Sequence, residues 1–283
     1  MGSGSKGNAT YVEAGGTRIL VDAGFSGVEV ERRLTAIGID INTISALLVT
    51  HEHGDHIRGI QVLSRRYSLP VYVSKATLTA AGNSLAKIVE WRPIAAGQAF
   101  NHQELTIHPF AVSHDAIATL GFVVSNNGCS VGYCTDTGAI THLMRHHLGG
   151  CNGLVLECNH DLEMLKNGGY PPYLQQRIRS KSGHLTNSDA ARFLVELIHD
   201  GLEHVVLAHI SETNNTHELA RATVERHLQE YDLTAEERRR FTVSVARQDK
   251  AGKLICLGFA STGNNQDPGG AEQEASVVAD KSA

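Results

Sequence analysis

The fold of this 283-residue chain is decided by one stretch of sequence, His51-Glu52-His53-Gly54-Asp55-His56. Two histidines spaced by two residues and followed by an Asp-His pair place four metal-ligand side chains in a short loop. In a chain with 16 histidines, a chance match to this pattern has a probability on the order of a few per thousand. The zinc-protease motif HExxH is excluded, because it requires a histidine where this chain has Asp55. The stretch therefore predicts a metal-binding loop.

The apolar run before this loop is one of five strand-like runs that each end before a polar residue of ligand type. They are residues 46–49 before His51, 107–112 before His114, 131–133 before Asp136, 154–156 before Glu157 and 205–207 before His209. In an open sheet the strand ends form one rim, so side chains that leave several ends can converge on a shared site. We therefore expect these five residues to meet.

We predict a site for two divalent metal ions. Its seven ligands are His51, His53 and His114 for one ion, Asp55, His56 and His209 for the other, and Asp136 as a carboxylate that bridges both. A hydroxide held between two such ions has a pKa lowered towards neutrality and is a nucleophile at physiological pH. Ligand softness favours zinc, although similar sites accept manganese. The predicted reaction is hydrolysis, and Asp55 is counted both as a ligand and as a catalytic residue.

Composition limits the domain organisation and the compartment. A hydrophobic content of 41% suits one large core, and we predict a single α/β domain over residues 1–260, with a disordered tail at 261–283. The net charge of −5 argues against a general nucleic-acid coat protein, so nucleic-acid binding would need a local basic patch. Five cysteines without a CxxC pair, no export signal and no run of about 18 apolar residues predict a cytoplasmic protein without a membrane span.

Short apolar runs alternate with helical patterns, which indicates sheets covered by helices. A hairpin is predicted from strands at 10–13 and 18–21, joined by Gly15-Gly16. Helices are predicted at 27–37, 57–67 and 188–199, the last capped by Thr186 or Asn187 and followed by a strand at 204–208.

At the predicted ligands the sequence resembles the metallo-β-lactamase superfamily, whose signature is HxHxDH followed in order by a histidine, a bridging aspartate and a final histidine. The match extends from about Gly4 to Phe259. The resemblance implies a four-layer αββα sandwich, whereas periodicity alone indicates only mixed α/β. Secreted zinc β-lactamases place a cysteine at the second metal where this chain has His209, so antibiotic hydrolysis is not expected.

Within the superfamily, four segments resemble the YycJ (WalJ) branch, namely residues 3–9, 50–53, 157–161 and 183–187. That branch is associated with 5′-to-3′ DNA exonuclease activity, so the resemblance implies a double-stranded DNA substrate in preference to RNA, and a possible homodimer. Glu157 and His184 also match features of the related tRNase Z. By that similarity Glu157 orients His184, which protonates the leaving-group oxygen; the alternative for His184 is a neighbour of a helix cap.

Several further residues are candidates for substrate contact. His160 is expected to line the pocket, and the cations Arg177, Arg179 and Lys181 lie just before His184. These cations form either a solvated face or contacts to a phosphodiester strand. The nearby stretch Tyr170-Pro171-Pro172-Tyr173 either stacks on a base or makes a loop rigid.

Two other functions remain open at this point. A small-molecule phosphodiesterase or thioesterase of the same fold would use the same metal ligands. A non-catalytic metal-binding protein that regulates a partner is compatible with the charge of the chain.

Overall fold

Two β-sheets form the centre of the computed structural model, which describes residues 1–231 and 233–258. The first sheet has the order β1 (Thr10–Ala14), β2 (Thr17–Val21), β3 (Ala46–Leu48), β4 (Pro70–Ser74), β5 (Glu90–Ile94). The second contains β6 (Phe100–His102), β7 (Leu105–Ala111), β8 (Leu120–Asn126), β9 (Cys129–Cys134), β10 (Gly153–Glu157), β11 (His204–Ala208) and β12 (Thr242–Val245). Its order is β12-β11-β10-β9-β8-β7-β6. In the first sheet only the β1–β2 hairpin is antiparallel, and in the second β9 to β12 are parallel.

Helices in the described part of the chain connect these strands. They are α1 (Gly27–Ala36), α2 (Gly54–Ile57), α3 (Ile60–Tyr67), α4 (Lys75–Ala81), α5 (His142–Leu148), α6 (Leu162–Asn167), α7 (Pro172–Ile178), α8 (Asn187–Leu197), α9 (His217–Glu230) and α10 (Ala235–Arg240). Short 3-10 turns occur at Ile41–Thr43 and Gly82–Ser84. None of these helices has the length and apolar character needed to cross a bilayer.

The side chains of β2 alternate between two hydrophobic cores. Ile19 and Val21 point into the core between the two sheets, whereas Leu20 packs with Leu34 of α1 and Leu63 of α3 on the outer face. This period of two is what a strand buried on both faces requires. The first sheet is therefore covered by helices on one side and by the second sheet on the other.

The same alternation occurs in β10 of the second sheet. Leu154 and Leu156 pack against Phe193 and Leu194 of α8, and Val155 packs against the core between the sheets. Full burial of one such side chain contributes about 1.5–3 kcal/mol. The predicted α/β class and the four-layer αββα sandwich are thereby confirmed.

The predicted helix at 57–67 is confirmed from Ile60 to Tyr67 as α3, but its predicted start is wrong by three residues, because Ile57 ends the separate helix α2. Gly59 lies at the break and donates its N–H to the carbonyl of Ala23 at 2.7 Å. A Cβ at Gly59 would lie 2.5 Å from the carbonyl oxygen of Phe25, so this close approach needs glycine. The break separates α2, which carries Asp55 and His56, from the longer α3.

Other local predictions agree with the structure to within two residues. The β1–β2 hairpin turns at Gly15 and Gly16, both with positive φ. Helix α8 begins after Thr186, whose hydroxyl accepts from the N–H of Asp189 at 3.0 Å. All five cysteines are free. The single-domain prediction for 1–260 stays a prediction, and the tail at 261–283 lies outside the described residues.

Candidate metal centre

The predicted ligands meet at the ends of five strands from both sheets. These ends are β3 before His51, β7 before His114, β9 before Asp136, β10 ending in Glu157 and β11 before His209. The sequence indicated a rim of one open sheet, whereas β3 belongs to the first sheet and the other four strands to the second. Strands β7 and β9 run in the same direction because each is antiparallel to β8 between them. The site therefore spans the two sheets where their strand ends face each other.

Three histidines form the first group of candidate ligands, which we call site A. Ligand atoms of His51, His53 and His114 all lie within 4.8 Å of one another. The Nε2 atom of His114 is 3.3 Å from Nδ1 of His53. The Nδ1 atom of His114 lies 3.2 Å from the carbonyl oxygen of Gly183, and donation to that oxygen leaves Nε2 as the ligand atom.

Asp55, His56 and His209 form the second group, site B, with ligand atoms again within 4.8 Å. The Oδ2 atom of Asp55 is 3.5 Å from Nε2 of His56 and 3.6 Å from Nε2 of His209. Two nitrogen ligands of one tetrahedral zinc ion are about 3.3–3.4 Å apart. The separations in both sites are therefore compatible with a bound metal ion.

Asp136 lies between the two sites. Its Oδ1 atom is 3.7 Å from Nε2 of His114 in site A, and its Oδ2 atom is 3.2 Å from Nε2 of His56 in site B. The side chain is only 3% exposed. Oδ1 also lies 3.5 Å from Nδ1 of His209 in site B, so the carboxylate is close to ligands of both sites, as a bridging ligand must be.

Three buried atoms at this centre have no hydrogen-bond partner: His51 Nε2, Asp136 Oδ2 and His209 Nε2. An unsatisfied buried polar atom costs about 1–3 kcal/mol. A cation satisfies imidazole and carboxylate lone pairs together, whereas a hydrogen-bond donor would have to reach each one separately. The donor set of the two sites therefore fits divalent metal ions, in agreement with the metal-binding prediction at this coarse level.

Asp22 supports site B through its contact with His56, and it was not predicted as a site residue from the sequence. This fully buried carboxylate lies 2.7 Å from Nδ1 of His56 and accepts from the backbone N–H and the hydroxyl of Thr50. Thr50 in turn contacts Nδ1 of His51 at 2.9 Å. Asp22 directly follows β2, so the strand-end rule that singled out the other five residues would also have found it.

Three residues of the centre adopt left-handed backbone conformations. Asp22, Asp136 and His209 have φ values of 60°, 56° and 54°. Such values are uncommon in residues other than glycine and cluster at functional sites, where surrounding contacts hold them. Each of the three lies just after the end of a strand.

Glu157 connects the metal ligands to His184. Its Oε1 atom lies 2.8 Å from Nδ1 of His184 and 2.9 Å from Nδ1 of His209. Its Oε2 atom accepts from the backbone N–H groups of Thr137 and Leu185. The carboxylate is held from all sides and fixes the orientation of both imidazoles.

Charged neighbours shift the pKa values of Glu157 and His209 at this centre. Burial raises the pKa of Glu157, but the imidazoles of His184 and His209 lower it, and the net pKa is about 2. Burial lowers the pKa of His209, but the carboxylates of Asp136, Asp55 and Glu157 raise it to about 10. Occupation of site B by a metal ion would therefore release a proton from His209.

A cavity of about 220 Å³ opens above the two sites. His184, whose side chain is 20% exposed, lines it opposite α7 and the residues just before that helix. Tyr170, Leu174 and Arg177 contribute this wall, and the guanidinium of Arg177 forms an ion pair with Asp115. The expected aromatic loop is thus a helix start, and only the first of its two tyrosines lines the cavity.

The remaining predicted substrate contacts lie elsewhere. His160 is fully buried and does not line the cavity, which corrects the expectation that it does. Its backbone pairs with Thr186, and burial lowers the pKa of its ring to about 4. Arg179 and Lys181 are exposed but are not part of the cavity wall. Among the three predicted cations, only Arg177 reaches the cavity.

Known proteins with similar sequences or structures point in one direction. Residues 17–210 match the family model described as a β-lactamase superfamily domain. The chain is 39% identical over 232 residues to the exodeoxyribonuclease YycJ of Bacillus anthracis, covering 81% of this chain and 88% of the relative. It is 35% identical over 237 residues to the exodeoxyribonuclease WalJ of Streptococcus pneumoniae serotype 2, covering 82% of this chain and 88% of the relative. The metallo-β-lactamase fold protein YhfI from Bacillus subtilis superposes with a TM-score of 0.62 at 16% identity, over 87% of this chain and 95% of that one.

Proposed function

This chain belongs to the metallo-β-lactamase superfamily, in the branch of the YycJ and WalJ exonucleases, and we propose that it is a two-metal DNA exonuclease. The hydrolase class follows from family membership. The finer proposal is digestion of double-stranded DNA in the 5′-to-3′ direction, which the names of the two relatives support only as far as exodeoxyribonuclease.

One observation carries the proposal, namely the contact between Glu157 and His184 beside the candidate metal ligands. Because Nδ1 of His184 faces Glu157 at 2.8 Å, its Nε2 is free to address a ligand in the cavity. Glu157, with a pKa of about 2, stays charged and holds the ring of His184 in this orientation. His184 therefore protonates the oxygen that leaves phosphorus, a role that typically contributes about 10²- to 10⁴-fold.

Sites A and B would hold one ion each, with Asp136 as the bridge. The ions would polarise the phosphodiester and lower the pKa of water. Five of the six unshared ligands are imidazoles and only Asp55 is a carboxylate, so ligand softness favours zinc over manganese. Asp55 and His56 follow one another in α2, so this short helix sets the spacing between the two sites.

The cavity favours a chain end as substrate. Its volume of about 220 Å³ is below the roughly 300–1,000 Å³ of pockets for drug-sized ligands. It is therefore too small for an intact duplex, and we expect only a chain end to reach the metal sites. Arg177 is the cation placed to contact a phosphate there, once it exchanges Asp115 for that partner.

The test incubates the metal-loaded protein with 5′- and 3′-labelled duplex DNA, single-stranded DNA, RNA and a chromogenic phosphodiester. We expect early release of the 5′ label from duplex DNA, and little release by a His184→Asn variant that retains its metal. Early release of the 3′ label would reverse the proposed polarity. Preferential digestion of RNA would replace the proposed substrate.

The small cavity also suits a second candidate function, a small-molecule phosphodiesterase. In that case the chromogenic ester would be hydrolysed and none of the three polymers degraded. The same assay therefore separates the two functions.

A further inference from the structure

A second cavity, of about 490 Å³, lies between α1 and the segment of residues 250–254. Four cations line it: Arg32 and Arg33 from α1, and Lys250 and Lys253 from the segment. The chain as a whole carries a net charge of −5. The lining of this cavity is therefore positively charged, although the chain as a whole is negatively charged. We call the feature the basic cleft.

Arg33 forms the rigid floor of the basic cleft. Its side chain is 5% exposed and its Nε donates to Glu29 at 2.6 Å. Its two terminal nitrogens donate to the carbonyls of Met1 and Gln248 at 3.1 and 2.9 Å. The guanidinium also stacks 3.9 Å from the ring centroid of Phe25. These contacts fix the junction between α1 and the segment that carries the two lysines.

The charge of the basic cleft is only partly neutralised. Glu29 pairs with both arginines. Asp249, beside Lys250, is held in an ion pair by Arg247. Among residues 1–231 and 233–258, neither Lys250 nor Lys253 forms an ion pair with a carboxylate. Two lysines are therefore available to an anion.

Gln248 connects the basic cleft to the metal centre. Its side chain accepts from the N–H of Lys6 at 2.8 Å and donates to the carbonyl of Gly7 at 3.0 Å. Ser5, in the same loop, lines the cavity above the metal sites. Gln248 lies two residues before Lys250, a span of at most about 7 Å. The loop that contains Ser5 and Gly7 therefore contacts Gln248 near the lysine segment and also lines the cavity above the metal sites.

We propose that the basic cleft binds the phosphodiester backbone of the nucleic-acid substrate at a distance from the metal centre. This inference rests on the proposed nuclease function, because it assumes a polymer that extends beyond the cavity. Backbone contacts hold a nucleic acid in register without reading its sequence, as an exonuclease requires. A chain with net negative charge gains such attraction only from a local patch. The apolar side chain of Leu254, 52% exposed at the rim, offers contact to the sugars.

The test compares Lys250→Ala/Lys253→Ala with Lys75→Ala/Lys87→Ala. The second pair removes the same charge from exposed lysines that line neither cavity. Binding of labelled 4- and 30-nucleotide DNA is measured by fluorescence anisotropy across a salt series, together with hydrolysis of both. For the first variant we expect binding of the long DNA to weaken roughly tenfold at low salt. The slope of log affinity against log salt concentration should become shallower by the amount that corresponds to the loss of about one to two phosphate contacts. The short DNA and kcat should be unaffected.

Equal losses in both double variants would overturn the proposal, because they would indicate only a general effect of charge. Unchanged binding of the long DNA would do the same. If the basic cleft binds inorganic phosphate while the affinity for the long DNA stays unchanged in the first variant, the ligand of the cleft is a small anion and not the polymer, which also overturns the proposal. If the wild-type protein binds long DNA through the two lysines but hydrolyses no nucleic acid, the proposed function fails while the binding surface stands.

Discussion

The Oδ2 atom of Asp22 lies 2.7 Å from Nδ1 of His56, although 34 residues separate the two in sequence. Both side chains are fully buried. Since Nδ1 faces the carboxylate, Nε2 of His56 points to site B. The hairpin strand β2 thus controls the geometry of a ligand that lies in the HxHxDH loop.

Replacement of Asp22 should weaken metal binding without direct contact to the metal. We expect Asp22→Asn to lower the affinity of site B by about 10- to 100-fold, because the imidazole loses a carboxylate that fixes its orientation and raises its basicity. Metal titration by calorimetry measures this effect. Glu163→Gln, which changes a carboxylate that is 69% exposed, serves as the control. Equal affinity of the Asp22 variant and the wild type would exclude this role.

Replacement of His184 separates catalysis from metal binding. His184 belongs to neither site A nor site B, so His184→Asn should retain the metal content of the wild type by elemental analysis. We expect kcat to fall by about 10²- to 10⁴-fold, the usual contribution of a general acid. An equivalent change at the exposed His142 should leave kcat unchanged. Loss of one metal ion in the His184 variant would instead identify His184 as a ligand.

The local spacing of the HxHxDH stretch was enough to predict the metal-binding loop, because its ligands are adjacent in sequence. The break at Gly59 could not be predicted in this way, since Ile57, Ile60 and Leu63 keep the spacing of a helix face across it. What imposes the break is the approach of the Ala23 and Phe25 carbonyls from another part of the chain. Long-range backbone contacts leave no periodic signal in the sequence.

His160 illustrates a second limit. Its position close to Glu157 suggested a place in the pocket, but adjacency in sequence does not determine the direction of a side chain. The residue pairs through its backbone with Thr186, and its ring lies inside the protein. The roles of Glu157 and His184 came from the family resemblance, because no spacing rule joins two residues that are 27 positions apart.

The metal-binding loop should depend on glycine at position 24. A Cβ at Gly24 would lie 1.6 Å from the carbonyl oxygen of Asp55 and 2.8 Å from the backbone nitrogen of Asn8. Backbone atoms cannot move away as a flexible side chain can, so Gly24→Ala should displace the loop. We expect the free energy of unfolding to fall by more than the value of about 1–3 kcal/mol that is typical of overpacking. Gly54 has nothing within 4 Å of its Cβ position, and Gly54→Ala is the matched control. Urea unfolding and metal content measure both variants, and a Gly24 variant as stable as the control would contradict the prediction.

The stability of the metal-free protein should depend on pH through His160. Burial lowers the pKa of its ring to about 4 in the folded state, against about 6.5 when unfolded. Between these values only the unfolded chain binds the proton, so stability falls as the pH drops from about 6.5 to about 4, by up to about 1.4 kcal/mol per pH unit. His160→Gln removes this titration and should flatten the dependence of the unfolding free energy on pH, measured with urea at pH 7 and pH 5. His142 is exposed, so His142→Gln serves as the control and should keep the wild-type slope. An equally steep slope in the His160 variant would show that the proton is bound elsewhere.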